Sequence, residues 1–311
     1  MKILLIGGAG FIGLHLVKDL IEDRHHVIVF DNLSNSSEKM LSFISGEFSF
    51  VKADITDYNQ ISGAVSGVDL VIHLAAIISV RDSVNNPEKT RRVNVTGTKN
   101  LIKACVKNNV KNLIAVSSAT VYGDSPSAKD SLNEKSETKP TSPYGESKLE
   151  MEDLVKRYSA SNSINSVILR FFNVYGPDQS DEYAGVISKF AQNIKEERSL
   201  VIYGDGLQTR DFVNIQDVID SIRHTISRME GKPSSIYNIA SGNSVTIQHL
   251  AEVMNEVSGK NLDIQYEKPR EGDIRYSQAD ISLARKELDY CPKIELKDGI
   301  KNLLRYYSMG S

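Results

Sequence analysis

KILLIGGAGFIG, from Lys2 to Gly13, places the β-forming run Lys2–Ile6 directly ahead of a cluster of spaced glycines. The stretch that follows, Phe11–Glu22, carries Phe11, Leu14, Val17, Leu20 and Ile21 on one face at helical spacing. Strand, glycine turn and helix in that order give the letters Gly8-x-Gly10-x-x-Gly13, or the close variant Gly7-x-x-Gly10-x-x-Gly13, a physical meaning. Residues without Cβ let backbone approach a pyrophosphate, and the positive end of the helix holds its charge. A tight glycine turn with no ligand fits the same letters taken alone; the flanking strand and helix favour a dinucleotide site. Asp31 then closes a second strand, His26–Asp31, 18 residues after Gly13, where a carboxylate can accept both ribose hydroxyls. An acid there repels a 2′-phosphate, and no Arg follows among Asn32, Leu33 and Ser34, so NAD is favoured over NADP. Asp54, after a third strand at 50–54, is placed to reach the adenine edge.

The pattern repeats along the first half. Leu70–His73, 112–117 and 167–171 are short Val/Ile/Leu-rich runs, and helical stretches at 87–108 and 143–160 lie between them. Asn86-Pro87 and Ser142-Pro143 both read as an N-cap followed by Pro at the first helical position. Such alternation predicts an α/β fold: a Rossmann doubly wound parallel sheet, with a smaller mixed α/β substrate-binding lobe after it. The expected division is 1–170 for the dinucleotide and 171–311 for the substrate, with some later segments returning to the first domain. The second half mixes helical stretches near 187–197, 215–229, 247–257, 281–288 and 296–307 with strands at Ser235–Ile239 and 262–266. Thr246 and Asp280 are candidate N-caps and Gly259 a C-terminal glycine. One long loop, 123–141, is rich in Ser, Pro, Asp and Lys, and loops of that length in compact proteins are often functional.

Composition narrows the class. The chain has 311 residues, 40% of them hydrophobic and 25% charged, as in ordinary globular proteins of about two domains. Its 37 Lys and Arg against 40 Asp and Glu leave a net charge of −3, with no electrostatic footprint for nucleic acid or an anionic membrane. Two cysteines, Cys105 and Cys291, make no disulfide framework, and neither they nor the six histidines have metal-site spacing. Glycines break the apolar N-terminal stretch, charged residues follow it, and no other run suits a membrane span, so cytoplasmic residence is expected.

Of the 13 tyrosines, only Tyr144 has a Lys four residues on, at Lys148. On a helix these share a face, one turn apart. A phenol with a pKa near 10 is a poor base at neutral pH, and a nearby ammonium and an oxidised nicotinamide both favour its phenolate. Beside a dinucleotide site, the pair can take a hydroxyl proton while hydride leaves the same carbon. Ser117 and Ser118 end the neighbouring strand at 112–117. His73, in the segment HLAA, is better read as a satisfied polar residue beside the cofactor than as a proton donor.

On these residues the chain resembles the extended short-chain dehydrogenase/reductases, and in particular the nucleotide-sugar 4-epimerases of the UDP-glucose 4-epimerase type. The resemblance rests on GGAGFIG (7–13), DNLS (31–34), HLAA (73–76), SSATVYG (117–123), Tyr144-x-x-x-Lys148, RFFNVYGP (170–177), GDGLQTRDFVNIQDV (204–218) and REGDIRYSQAD (270–280). One departure is Ile6, where that family usually has Thr. The resemblance implies that Tyr144 is the base, Lys148 its partner and ribose ligand, and Ser118 the hydrogen-bond donor to the reacting hydroxyl. It places the cofactor against Gly7, Gly10, Phe11, Ile12, Gly13, Asp31, Asn32, Asp54 and Ile55, as well as Tyr144 and Lys148. Thr120 would contact the sugar, Asn173, Arg210 and Arg270 the diphosphate, and Tyr203 the uracil. Asp211 and Asp273 could orient the two arginines. Each Arg by itself is as well explained by a surface salt bridge. A homodimer built from the helices at 87–108 and 143–160 is a further implication.

Two features discriminate among relatives. The 4,6-dehydratases need an acid pair after the hydroxyl residue at position 118, and here Ala119 and Thr120 follow. In the 4-epimerases a residue seven positions after the second diphosphate arginine borders the sugar's 2-substituent; here it is Ser277, small enough for an N-acetyl group unless it faces solvent. The implied substrates are UDP-glucose and UDP-galactose, together with their N-acetylated counterparts. Rival readings are a UDP-glucuronate decarboxylase or epimerase, a dehydratase, a net dehydrogenase that releases its cofactor, and a non-catalytic dinucleotide-binding protein.

Overall fold

A computed structural model describes every residue except 126, 128, 129, 180–184, 232, 233, 271, 310 and 311, so part of the expected loop at 123–141 lies outside the described residues. The chain divides into two compact units. The first comprises Met1–Val121, Pro140–Arg170 and Ser221–Tyr237; the second comprises Tyr122–Lys139, Phe171–Asp220 and Asn238–Ser311.

The main sheet has seven strands: β1 (Lys2–Ile6), β2 (His26–Asp31), β3 (Ser49–Lys52), β4 (Leu70–His73), β5 (Asn112–Ser118), β6 (Asn165–Phe171) and, counting ahead, β10 (Ser235–Ile239). Their order is β10-β6-β5-β4-β1-β2-β3. The pairs β1–β2, β1–β4, β2–β3 and β4–β5 are parallel. β1 and β4 are neighbours although two strands, β2 and β3, lie between them along the chain, so the winding reverses between them. In a doubly wound sheet the crevice for a ligand opens beyond the carboxyl ends of the strands at that reversal. Gly7 follows β1 and Leu74-Ala75 follow β4, both there. The strands are buried on both faces, with Ile3, Leu4, Leu5, Ile6, Val71 and Ile72 inaccessible to solvent, which is why they read as continuous apolar runs.

Capping residues mark the helices where the sequence places them. Ser142 accepts the Gly145 N–H at 3.2 Å to open Pro143–Asn162, and Asn86 accepts the Lys89 N–H at 3.0 Å to open Pro87–Arg91. The helix expected over 87–108 is not regular. A π turn over Arg92–Gly97 separates Pro87–Arg91 from Thr98–Lys107. There the Asn94 amide leaves the helix to receive the Ile77 N–H at 2.8 Å and to donate to the Ile77 carbonyl and the Ser147 hydroxyl at 3.0 and 2.9 Å. π turns of this kind concentrate at functional sites.

In the second unit, β7 (Asn173–Tyr175), β9 (Thr209–Asn214) and β11 (Ser244–Thr246) form one small sheet, and β8 (Leu200–Tyr203) pairs with β12 (Ile264–Glu267). These surround an apolar core of Phe190, Ile194, Ile202, Leu250, Met254 and Leu303. Thr246 caps Ile247–Ser258, and Gly259 ends it in the left-handed region. Asp280 accepts the Ser282 N–H at 2.8 Å, one residue into the helix Ser282–Leu288. No helix among the described residues is long and apolar enough to cross a membrane.

Candidate active site

The turn after β1 has the shape that a dinucleotide needs. Gly7 has φ +80°, and a Cβ there would come within 2.5 Å of the Ala75 backbone nitrogen; on Gly13 it would come within 2.5 Å of the Gly8 carbonyl oxygen. The first glycine lets the strand turn beside β4, and the second lets the helix pack onto the turn. A Cβ on Gly10 would meet only the Gly7 oxygen, at 3.4 Å, so this face of the turn is open to a ligand. The helix Phe11–Glu22, which starts with Phe11, Ile12 and Gly13, has no side-chain cap, leaving first-turn N–H groups for an anion.

At the end of β2, Asp31 accepts the Ala9 N–H at 3.1 Å and the Leu33 N–H at 2.8 Å. Burial raises its pKa from the ordinary carboxylate value, with these two bonds acting the other way. The Asn32 amide donates to Asp54 at 3.0 Å, and Asp54 also accepts from the Thr56 N–H and hydroxyl at 2.7 Å. Burial works to raise Asp54, but these donors outweigh it and hold the carboxyl low. Ile55 is buried in the core, and its carbonyl accepts the Asn100 amide at 3.5 Å. The set fits a dinucleotide without a 2′-phosphate.

On the helix Pro143–Asn162, Tyr144 and Lys148 are both buried. The Tyr144 backbone N–H donates to the Ser83 hydroxyl at 3.1 Å, which fixes the helix start. Ser118 acts on the Tyr144 phenol to lower its pKa, yet burial dominates and pushes the phenol up to about 12. Lys148 donates from Nζ to the Val116 carbonyl at 2.7 Å, and burial brings it down to about 8, with Glu152 acting to raise it. The expected lowering of Tyr144 is thus not what these side chains supply: the ammonium is directed at the strand end, and desolvation of the phenolate wins. Thr120 turns its N–H to the Ser118 hydroxyl at 3.2 Å, while its own Oγ1 is buried without a partner. An orphaned hydroxyl beside Ser118 is suited to a polyhydroxylated ligand.

His73 is neutral. Burial, with Lys148 acting the same way, brings it down to about 3. Thr98 donates to the Asn94 carbonyl at 2.6 Å, so the 2.9 Å contact between His73 Nε2 and Thr98 Oγ1 is a bond donated by the histidine. Sequence reasoning missed this chain through Thr98 and Asn94, whose only signal was two polar residues on one side of the helical stretch after Pro87.

In the second unit, a cavity of about 450 Å³ is lined by Asn173, Tyr203, Arg210, Arg270 and Asp273, with Lys189, Arg198, Phe190 and Ile247. Five expected substrate residues therefore share one pocket, along with two cations that the sequence did not single out. Arg210 pairs with Asp273 and donates to the Thr209 carbonyl at 2.7 Å. The Arg270 guanidinium lies 3.8 Å over the Tyr203 ring, the cation–π arrangement that an aromatic face favours. Asp211 does not orient an arginine. Instead it accepts the Ser241 N–H and hydroxyl at 2.9 and 2.7 Å, the Gly242 N–H at 3.1 Å and the Ala279 N–H at 3.2 Å, tying two loops to β9. Ser277 is buried, at 5% exposure, so it does not face solvent, and its N–H donates to Thr209 Oγ1 at 3.3 Å. Among the described residues there is no cluster that could hold a metal ion.

Comparison with known proteins places these features. The family model described as NAD dependent epimerase/dehydratase family matches residues 3–240. A Methanocaldococcus jannaschii protein, provisionally named a UDP-glucose 4-epimerase, is 37% identical over 98% of this chain and 97% of its own. The structure of a UDP-N-acetylglucosamine 4-epimerase from Methanobrevibacter ruminantium M1, in complex with UDP-N-acetylmuramic acid, superposes with a TM-score of 0.92 at 34% identity, covering 100% of this chain and 99% of that one. A dTDP-glucose 4,6-dehydratase from Streptomyces venezuelae with NAD bound gives 0.92 at 29% identity, covering 100% and 98%.

Proposed function

The chain belongs to the NAD-dependent epimerase/dehydratase family, and from that membership we propose that it is a UDP-hexose 4-epimerase. The observation that carries the reading is the set of residues beside Tyr144. Ser118 acts on the phenol, Thr120 offers an unpartnered hydroxyl, and neither Ala119 nor Thr120 carries the acid that elimination of water requires.

NAD is the cofactor, and when bound it supplies the acceptor and then the donor of hydride at C4 of the sugar. Tyr144 takes the proton of the 4-hydroxyl, and Ser118 donates a hydrogen bond to the same oxygen. The shift that readies a phenol held up to about 12 has to come from the positive nicotinamide ring, with Lys148 as its partner. The 4-keto sugar turns over while its diphosphate stays anchored by Asn173, Arg210 and Arg270, and Tyr203 packs on the uracil. Tyr144 then returns its proton to the oxygen, with C4 inverted. Gly7, Gly10, Phe11, Ile12, Gly13, Asp31, Asn32, Asp54 and Ile55 hold the cofactor in this reading, which assigns 1–170 to cofactor and chemistry and 171–311 to the nucleotide sugar. The same reading has the enzyme work in the cytoplasm, as a homodimer through the helices around Pro87 and Pro143.

The second reading, another NAD-dependent nucleotide-sugar reaction such as decarboxylation or dehydration, draws support from the likeness to a dehydratase structure. Incubation with UDP-glucose, then UDP-N-acetylglucosamine, without added NAD separates the two. Appearance of the C4 epimer by chromatography is the expected result; no epimer from either substrate overturns the reading. In this reading the small side chain of Ser277 admits the 2-acetamido group, and Ser277→Tyr should lose the N-acetylated pair at least about tenfold more than the plain hexoses, a pocket effect of about 1.4 kcal/mol. Equal losses on both pairs would remove Ser277 from specificity.

A further inference from the structure

Three residues at i, i+4 and i+8 on one helix meet three consecutive residues at the end of β5. Ser118 acts on the Tyr144 phenol, Lys148 donates to the Val116 carbonyl at 2.7 Å, and Glu152 accepts from the Ser117 hydroxyl at 2.6 Å. Glu152 is inaccessible to solvent. From the opposite side Arg170 of β6 grips it with two bonds, Nε at 2.8 Å and Nη2 at 2.7 Å, and Arg170 is itself 2% exposed. A carboxylate taken fully out of water and held by three donors is costly unless its partners are all in place, and nothing in binding NAD or a sugar calls for one there.

The position of the acid suggests its use. Lys148 sits one helical turn before Glu152, so the carboxylate's field reaches the ammonium. We propose that Glu152, braced by Ser117 and Arg170, is a positioning residue: its charge keeps Lys148 an ammonium, and its bonds hold the end of β5 in register with the catalytic helix. The inference rests on Tyr144 and Lys148 acting as proposed above. The charged and titratable groups around Lys148 are Tyr144, Glu152 and Lys156 on its own helix, His73 on β4 and Arg170 on β6. His73 is neutral, and Lys156 Nζ lies 3.8 Å from Glu152 at the helix surface. The anion that acts on Lys148 is Glu152, and burial already brings the ammonium down to about 8, close enough to physiological pH for its loss to matter.

The test uses the full-length protein as purified with its cofactor. Lys148 is titrated by NMR in protein carrying ¹⁵N-labelled lysine side chains, its resonance identified by its absence in Lys148→Arg. The pH profile of kcat/KM for epimerisation is measured alongside. In Glu152→Gln the Lys148 titration should fall by about one pH unit, and the alkaline limb of the profile should move down with it. Glu152→Asp, which keeps the charge, should restore most of the limb's position. If Glu152→Gln leaves Arg170 unpaired and fails to fold, Glu152→Gln with Arg170→Met removes both buried charges and should show the same direction of shift. A Lys148 titration that stays put in a folded variant overturns the proposal, as does an alkaline limb that stays put while Lys148 shifts. Absence of epimerase activity in the unaltered protein would count against the assigned reaction, while the NMR arm would still decide what Glu152 does to Lys148.

Discussion

Tyr144 holds its proton tightly because burial penalises the phenolate more than the Ser118 hydroxyl favours it. If Tyr144 is the base proposed above, such tuning leaves it inert until a positive charge arrives beside it, which would link proton removal to the presence of the cofactor. Tyr144→Phe keeps the ring and removes only the oxygen that would take the proton in that proposal. It should lower kcat by about 10² to 10⁴, the range for a positioned acid–base group, with NAD content per chain unchanged after denaturation and assay of the released cofactor. A loss of bound NAD instead would make Tyr144 a binding residue. The pair Tyr144–Lys148 was legible in the sequence because helical spacing alone puts it on one face. Glu152 was not, since its partners Ser117 and Arg170 lie 35 and 18 residues away, and no local pattern marks a buried ion pair.

At the scale of elements, the join between β1 and the helix Phe11–Glu22 leaves no room for a side chain. A Cβ on Gly13 would press on the Gly8 carbonyl, carbon and Cα at 2.5 to 2.6 Å, all backbone, so the helix itself would have to move. Gly13→Ala should therefore empty the cofactor site by at least about tenfold in NAD affinity, measured by calorimetry on the stripped protein; unchanged affinity would mean the helix end takes no part in binding. β1, β2, β4 and β10 were readable to the residue; in β1 and β4 the reason is that parallel strands buried on both faces appear as unbroken apolar runs. β9 was hidden for the opposite reason. Its letters, TRDFVN, carry Arg210 for the cavity and Asp211 for the loops, and those polar duties erase the strand pattern. β7 and β11 have three residues each, too few for any period. The π turn at Arg92–Gly97 follows from bonds that Asn94 makes to Ile77 and Ser147, which helical spacing cannot reveal.

For the molecule as a whole, averages conceal local chemistry. A net charge of −3 coexists with one cavity lined, among the described residues, by Lys189, Arg198, Arg210 and Arg270 against the acid Asp273. Similarly, stability toward acid depends on a group that composition would never single out. His73 ends β4 at the centre of the main sheet, and burial there, with repulsion from Lys148, brings its pKa from 6.5 to about 3. The unfolded chain then binds a proton at this residue below about pH 6.5 that the folded chain refuses until about pH 3, so falling pH drains stability across that whole window, by one proton's slope. His73→Gln keeps an amide donor for Thr98 and cannot titrate. It should be less stable than the unaltered protein at pH 7.5, where the histidine is neutral in both states. That deficit should narrow steadily from pH 6.5 to pH 4, read from urea midpoints at a series of pH values. A deficit that stays constant with pH would mean that His73 takes up its proton in the folded protein, and that the neutral, Thr98-bonded imidazole is the wrong description of the residue.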